Sequence, residues 1–191
     1  QFPRDAEAVG ELLHRHFNPA ILAIRELEKP VIAAVNGPAA GAGLALAMAC
    51  DLRLAAASAS FVPAFVGIGL VPDSGLSHTL PRLIGPAAAF EWIVSGRKLA
   101  AEEAAARGLV MRVVPDAELA AEAAALAADL AAKPTRAIAL TKRLLDDGWQ
   151  RSLAEQLEEE AVAQSQAAAG ADFAEGVAAF LEKRPARFQG R

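Results

Sequence analysis

Hydrophobic spacing divides the chain into a mixed first part and a helical second part. From Asp5 to Arg15 the apolar residues Ala8, Val9, Leu12 and Leu13 fall at helical spacing. Asn18 followed by Pro19 reads as a cap and the first position of a second helix, with Ile21, Ile24 and Leu27 as its stripe. After Pro30 comes Val31-Ile32-Ala33-Ala34-Val35, a continuous apolar run of the kind expected for a strand buried on both faces. It leads into Asn36-Gly37-Pro38-Ala39-Ala40-Gly41-Ala42-Gly43, read as a small-residue loop, and then into a short apolar helix from Leu44 to Cys50. Strand, glycine loop and buried helix in that order predict an α/β fold.

Asp51 to Ala56 alternates as a strand, and Ser60-Phe61-Val62 is a candidate for another. A second loop rich in turn residues, Gly67 to Gly75, precedes helices expected over 75–83 and 87–95. A helix over Ala101 to Ala106 ends near Gly108, and Leu109 to Val114 supplies a further strand. From there the pattern is helical over 117–132, 135–147, 151–168 and 172–182, with Pro134, Gly148 and Gly170 as punctuation.

Composition narrows the chemistry. The 191 residues are 54% hydrophobic and only 5% aromatic, and Ala supplies about a quarter of them. Such a chain can bury a core as roughly one domain. One cysteine, Cys50, excludes an intramolecular disulfide, and one Cys with three His argues against a multi-ligand metal site. A net charge of −4 without a Lys/Arg cluster leaves no electrostatic footprint for nucleic acid. No apolar run approaches the ~20 residues of a membrane-spanning helix, and the start shows no signal-peptide pattern, so a cytoplasmic location is expected. Catalysis then rests on carboxylates, Ser, His or backbone amides.

Two loops can carry it. Gly37 to Gly43 feeds a helix N-terminus, where small residues let a ligand approach the main chain and free amides favour negative charge. It lacks the dinucleotide fingerprint and the P-loop Gly-Lys-Ser/Thr. An anion or oxyanion site and a merely tight strand-to-helix turn are both open on this pattern. Asp73, in Val71-Pro72-Asp73-Ser74-Gly75, is either a helix N-cap or a carboxylate for proton transfer. Ser74, Ser77 and His78 lie nearby, but no G-x-S-x-G elbow surrounds them, so a Ser-His-Asp hydrolase is disfavoured. His14 and His16 point to different sides of a helix, and Glu158-Glu159-Glu160 reads as a solvated face.

The series Lys29 to Gly37, Ala40-Gly41-Ala42-Gly43-Leu44, Cys50-Asp51-Leu52-Arg53, Gly69 to Gly75, Leu80 to Gly85, Ser95 to Ala104 and Glu175 to Pro185 resembles the enoyl-CoA hydratase/isomerase (crotonase) superfamily. The resemblance covers nearly the whole chain in order. It implies a spiral of ββα units over 1–133 and a C-terminal helical region over 134–191 that builds trimers, often paired into hexamers. The implied substrate is an acyl-CoA thioester, with no cofactor beyond its own coenzyme A. Its enolate is held by two backbone amides, one of which falls on Ala42, flanked by Gly41 and Gly43. Lys183 and Phe180 are implied to touch the CoA moiety. For Lys183 the other reading is an exposed helix-end lysine, and for Phe180 it is packing of the terminal helix.

Two departures sharpen this expectation. The positions where the family's hydratases carry two glutamates read Ala45 and Ala64 here, whereas the family's isomerases keep one carboxylate where Asp73 stands. The string Phe61 to Gly75 is most similar to the family's ring-epoxide isomerases, which convert 1,2-epoxyphenylacetyl-CoA to oxepin-CoA. Isomerase chemistry is therefore expected over hydration, and a non-catalytic CoA-binding or assembly subunit is the reading from another class. The second departure is at the start. The resemblance implies roughly 60 to 70 further residues before this point, still within the length of one domain. They would supply the first strands and the other oxyanion amide, so the 191-residue chain by itself is expected to be weakly active or inactive.

Overall fold

The computed structural model describes residues 5–190 and divides into two compact units. The first comprises residues 5–25 and Val31–Ala123, and the second comprises Glu26–Pro30 and residues 124–190. The division falls inside a helix.

The first unit opens with α1 (Ala6–Leu12), capped by Asp5, whose carboxylate accepts from the Glu7 amide. A π-helical turn, Leu13–Phe17, carries the chain without a break into α2 (Asn18–Glu26). Asn18 is therefore helical and not a cap. Its amide reaches back to the Leu13 carbonyl, and the widened turn makes room for Pro19, whose ring would crowd the carbonyl four residues earlier in a regular helix.

Six strands follow: β1 (Ile32–Val35), β2 (Pro38–Ala40), β3 (Leu52–Ala56), β4 (Ser60–Val62), β5 (Leu99–Ala100) and β6 (Arg112–Val114). One sheet has the order β1-β3-β6, wholly parallel, with Ile32 opposite Leu52 and Ala55 opposite Val113. The other has the order β2-β4-β5, parallel and then antiparallel. Two expectations are corrected. The apolar run of β1 is half-buried, with Ala34 exposed, because among the described residues β1 is an outer strand; the buried central strand is β3, through Leu54, Ala55 and Ala56. The supposed loop at Pro38–Ala40 is strand, which Pro38 permits as the first residue of an edge strand that needs no ladder donor there.

Asp51 sets the start of the first sheet. One carboxylate oxygen accepts from Arg25 at 3.0 Å and the other from the Val31 amide at 2.8 Å. Arg53 ties the sheet to the segment entering β6, donating to the carbonyls of Leu109 and Cys50. Leu109 and Val110 are buried but lie outside the strand.

The core of this unit is built from α3 (Ala42–Ala49), α4 (Leu76–Ile84), α5 (Pro86–Ser95) and α6 (Ala101–Ala106) against the sheets. Leu44, Leu54, Phe61, Leu76, Leu80, Trp92, Leu99 and Leu109 are fully buried, each contributing about 1.5–3 kcal/mol of apolar transfer. Alanine on α3 permits close packing: Ala45, Ala47 and Ala49 are buried beside Leu44 and Met48. Trp92 keeps its indole N–H satisfied on the Arg97 carbonyl at 2.8 Å.

Helix α7 (Leu119–Ala131) runs on into the second unit, which continues with α8 (Thr135–Asp147), α9 (Leu153–Ala168) and α10 (Ala171–Glu182). Ser152 and Glu155 form a reciprocal capping box at the start of α9. The chain after α10 folds back along it. Asp172 accepts from the amides of Gln189 and Gly190, and Glu175 accepts a two-pronged bond from Arg184 and a third from the Arg187 amide. The Arg184 bond, followed by the Arg187 amide, pulls the Glu175 carboxyl down to about 2.

Candidate active site

Strand β2 is followed by Gly41, whose φ of 52° and ψ of −120° place it where L-residues are strained. Its amide donates to the Val62 carbonyl at 3.1 Å, and its carbonyl accepts from Ala45 at 3.0 Å. The first bond fastens the end of β2 to the end of β4, and the second opens α3. With both Gly41 groups committed, the next amides, Ala42 and Gly43, stand in the first helical turn and have no partner in the helix. Ala42 is half-buried, Gly43 is exposed, and a Cβ built on Gly43 meets nothing within 4 Å. The result is two donors at the positive end of an apolar helix, approachable by a small negative group.

The second loop starts from the same strand pair. After β4, Phe65 is buried under Gly41, and its carbonyl accepts from Leu70 at 3.1 Å across the tight turn Val66–Ile68. The chain then passes Pro72 and reaches Asp73. Ser74 (φ 51°) and Gly75 (φ 77°) are both left-handed, and Gly75, not Asp73, caps α4. The carboxylate of Asp73 is half-buried and caps nothing. Among the described residues its hydrogen-bond partner is the Ser74 hydroxyl, which donates to Oδ1 at 2.8 Å. The Asp73 main-chain carbonyl is separately occupied by the Leu76 amide at 2.9 Å. Helix α3, which carries Ala42, packs on α4, which follows Asp73. An amide pair and a carboxylate thus stand at the starts of two packed helices.

Ala45 is buried on α3 and Ala64 is exposed just after β4, so neither hydratase position offers a carboxylate. Ser77 and His78 are exposed on α4. Lys183 and Phe180 belong to the second unit. Lys183 closes α10 in the left-handed region and is exposed, and the Phe180 side chain is 82% exposed. Ser74, weighed in the sequence with Ser77 and His78 as a nucleophile and set aside, has a different place in the structure. It reads as an ordinary turn residue, yet it is only 4% exposed and faces the Asp73 carboxylate. The cluster Pro72-Asp73-Ser74-Gly75 signals a turn, but not that the serine takes the strained position in it. No helix among the described residues is long and apolar enough to cross a membrane.

The parallel strands, the glycine turn into a buried helix and the carboxylate loop after β4 define a crotonase-like α/β fold. The family described as enoyl-CoA hydratase/isomerase matches residues 5–191, and the chain belongs to it. This match gives no support to the expectation that the family's first strands are absent. The chain is 46% identical over 180 residues to a probable enoyl-CoA hydratase of Rhodobacter capsulatus, covering 94% of this chain and 70% of that one. It is 42% identical over 186 residues to the 1,2-epoxyphenylacetyl-CoA isomerase of Escherichia coli, covering 97% and 71%. Among solved structures, the enoyl-CoA hydratase of Bacillus anthracis superposes with a TM-score of 0.92 at 36% identity, over 98% of this chain and 72% of that one. The relatives therefore divide between hydratase and isomerase names.

Proposed function

We propose that this member of the family is an acyl-CoA isomerase, moving a double bond from the β,γ to the α,β position of a thioester or rearranging a ring epoxide such as that of 1,2-epoxyphenylacetyl-CoA. The observation that carries this reading is the Asp73 carboxylate, which has no capping task, joined with alanine at both 45 and 64. Asp73 removes a proton from the α carbon, the electron pair moves into the thioester carbonyl, and the same carboxyl returns the proton to the γ carbon. The Ala42 amide, with Gly43 and the α3 dipole behind it, is aimed at the oxygen on which charge develops, and Gly41 gives that turn its shape. One carboxylate is sufficient because the proton removed is the proton returned.

Lys183 is proposed to meet the CoA phosphates of a substrate held by a neighbouring subunit, and Phe180 the same ligand. The exposed apolar side chains Phe173, Phe180 and Leu181 on α10 favour a trimer or hexamer of this chain. No cofactor other than the substrate's coenzyme A is proposed, and a cytoplasmic location goes with it. The hydratase reading retains the name of the Rhodobacter relative in its favour.

The test is Asp73→Asn in this protein, assayed with a 3-enoyl-CoA and with crotonyl-CoA. Isomerisation lost by about 100-fold or more, with little crotonyl-CoA hydration in the parent, is the expected result. Isomerisation at the parent rate would remove Asp73 from the mechanism, and strong hydration in the parent would favour the hydratase. Acyl-CoA binding without solvent deuterium exchange at either carbon would point to a non-catalytic subunit.

A further inference from the structure

Ser74 has three properties that a turn residue does not need together. It is 4% exposed, it holds a φ of 51° that is strained for an L-residue, and its hydroxyl donates to Asp73 Oδ1 at 2.8 Å. A serine at a helix start ordinarily caps the helix, yet α4 receives no side-chain cap. The strained conformation is fixed from both sides, by the Leu76 amide on the Asp73 carbonyl and by the left-handed Gly75 that begins α4. Strain of this kind persists only where the surroundings over-determine it. Here it turns the hydroxyl back on the preceding carboxylate.

We infer that Ser74 is a positioning residue for the proton shuttle, an inference that rests on the reading of Asp73 as general base. Its hydroxyl occupies Oδ1 and locks the rotation of the carboxylate, so that Oδ2 is the oxygen presented to substrate. The shuttle needs that lock more than a simple base does. Oδ2 must take a proton from the α carbon and, within the life of the dienolate, release it to the γ carbon. A carboxylate free to rotate exchanges its proton with solvent or returns it to the carbon it left. Ser74 thus governs how often abstraction ends in isomerisation.

The experiment is carried out on the protein with Ser74→Gly, Ser74→Ala and Ser74→Cys, each assayed for 3-enoyl-CoA isomerisation and for deuterium exchange at the α carbon in D2O. Glycine suits a φ of 51° and removes the hydroxyl, alanine removes the hydroxyl while keeping the strain, and cysteine keeps a weaker donor. Expected is a kcat about 10- to 100-fold lower for both glycine and alanine, KM unchanged, and a several-fold rise in α exchange per isomerisation, with cysteine between them and the parent. A purely structural role would be relieved by glycine and would leave the exchange ratio alone. Parent kcat and ratio in Ser74→Gly, with Asp73→Asn inactive, would overturn the role of Ser74 and leave that of Asp73. An active Asp73→Asn would overturn the reading of Asp73 itself. Crystal structures of the parent and Ser74→Gly give a readout independent of turnover: an Asp73 side chain in the same rotamer without the hydroxyl would also overturn the inference.

Discussion

The amide of Gly41 donates to the carbonyl of Val62 at 3.1 Å, and this bond joins the ends of the two parallel strands from which both site loops depart. It spends the last strand-like amide before the helix, so the donors left over, on Ala42 and Gly43, are the ones pointing out of the first turn of α3.

Gly41→Ala should therefore disturb the site through the backbone and not through crowding. A Cβ at this position meets only the Phe65 ring at 3.9 Å, an ordinary contact, but a φ of 52° is strained for alanine. A loss of about 1–3 kcal/mol in urea unfolding is expected, with a fall in kcat as the Ala42 amide is re-aimed. Unchanged stability would show that the turn relaxes freely.

Ala42→Pro isolates the amide. Proline is favoured at the first position of a helix, where its missing N–H breaks no intrahelical bond, so α3 should form with a melting temperature close to that of the parent. If the Ala42 amide stabilises the enolate, kcat should drop by about 100-fold or more while the fold is kept. Circular dichroism with steady-state kinetics checks both halves. Parent kcat in a folded variant would dismiss the amide as a donor.

The two alanines at the hydratase positions should respond differently to glutamate. Ala45 is 1% exposed among Leu44, Ala47 and Met48, and Ala45→Glu would bury a carboxylate there, at a cost of several kcal/mol in chemical denaturation. Ala64 is exposed after β4, and Ala64→Glu should change stability by less than about 0.5 kcal/mol. Equal effects would mean that the packing of α3 yields more easily than its burial implies.

The segment after α10 should loosen in acid. The Glu175 carboxyl, held down to about 2 by Arg184 and then by the Arg187 amide, lies below its unfolded value of roughly 4.3, so the stability it contributes is present above that value and is lost as pH falls toward 2. Limited proteolysis of residues 184–190 should accelerate over that window. In Glu175→Gln it should be fast already at neutral pH and nearly flat below, and a parent-like acid response in this variant would exclude Glu175 as the titrating group.

Several features were legible along the chain. The α/β order, the glycine turn into an apolar helix, the helical second part and the family motifs follow from local spacing and residue type, because periodicity and turn chemistry are properties of short segments. Partners far apart in sequence are not. The strand at Pro38–Ala40 exists because it pairs with Ser60–Val62, and the run Ile32–Val35 is half-exposed because the sheet puts Leu52–Ala56 at its centre. Pro19 looked like a helix start because the π turn before it depends on the path of the preceding backbone, which composition does not encode.

The sequence by itself determined which groups are available: one carboxylate on the second loop, small residues before a buried helix, and no glutamate at 45 or 64. Only the tertiary structure decided what those groups are free to do. It gave the capping position of α4 to Gly75, committed the Gly41 amide to Val62 and turned Ser74 onto Asp73. The reason is physical. Residue type sets which donors and acceptors exist, but which of them are already satisfied is settled by strand pairing and backbone dihedrals, and those are fixed by the fold as a whole.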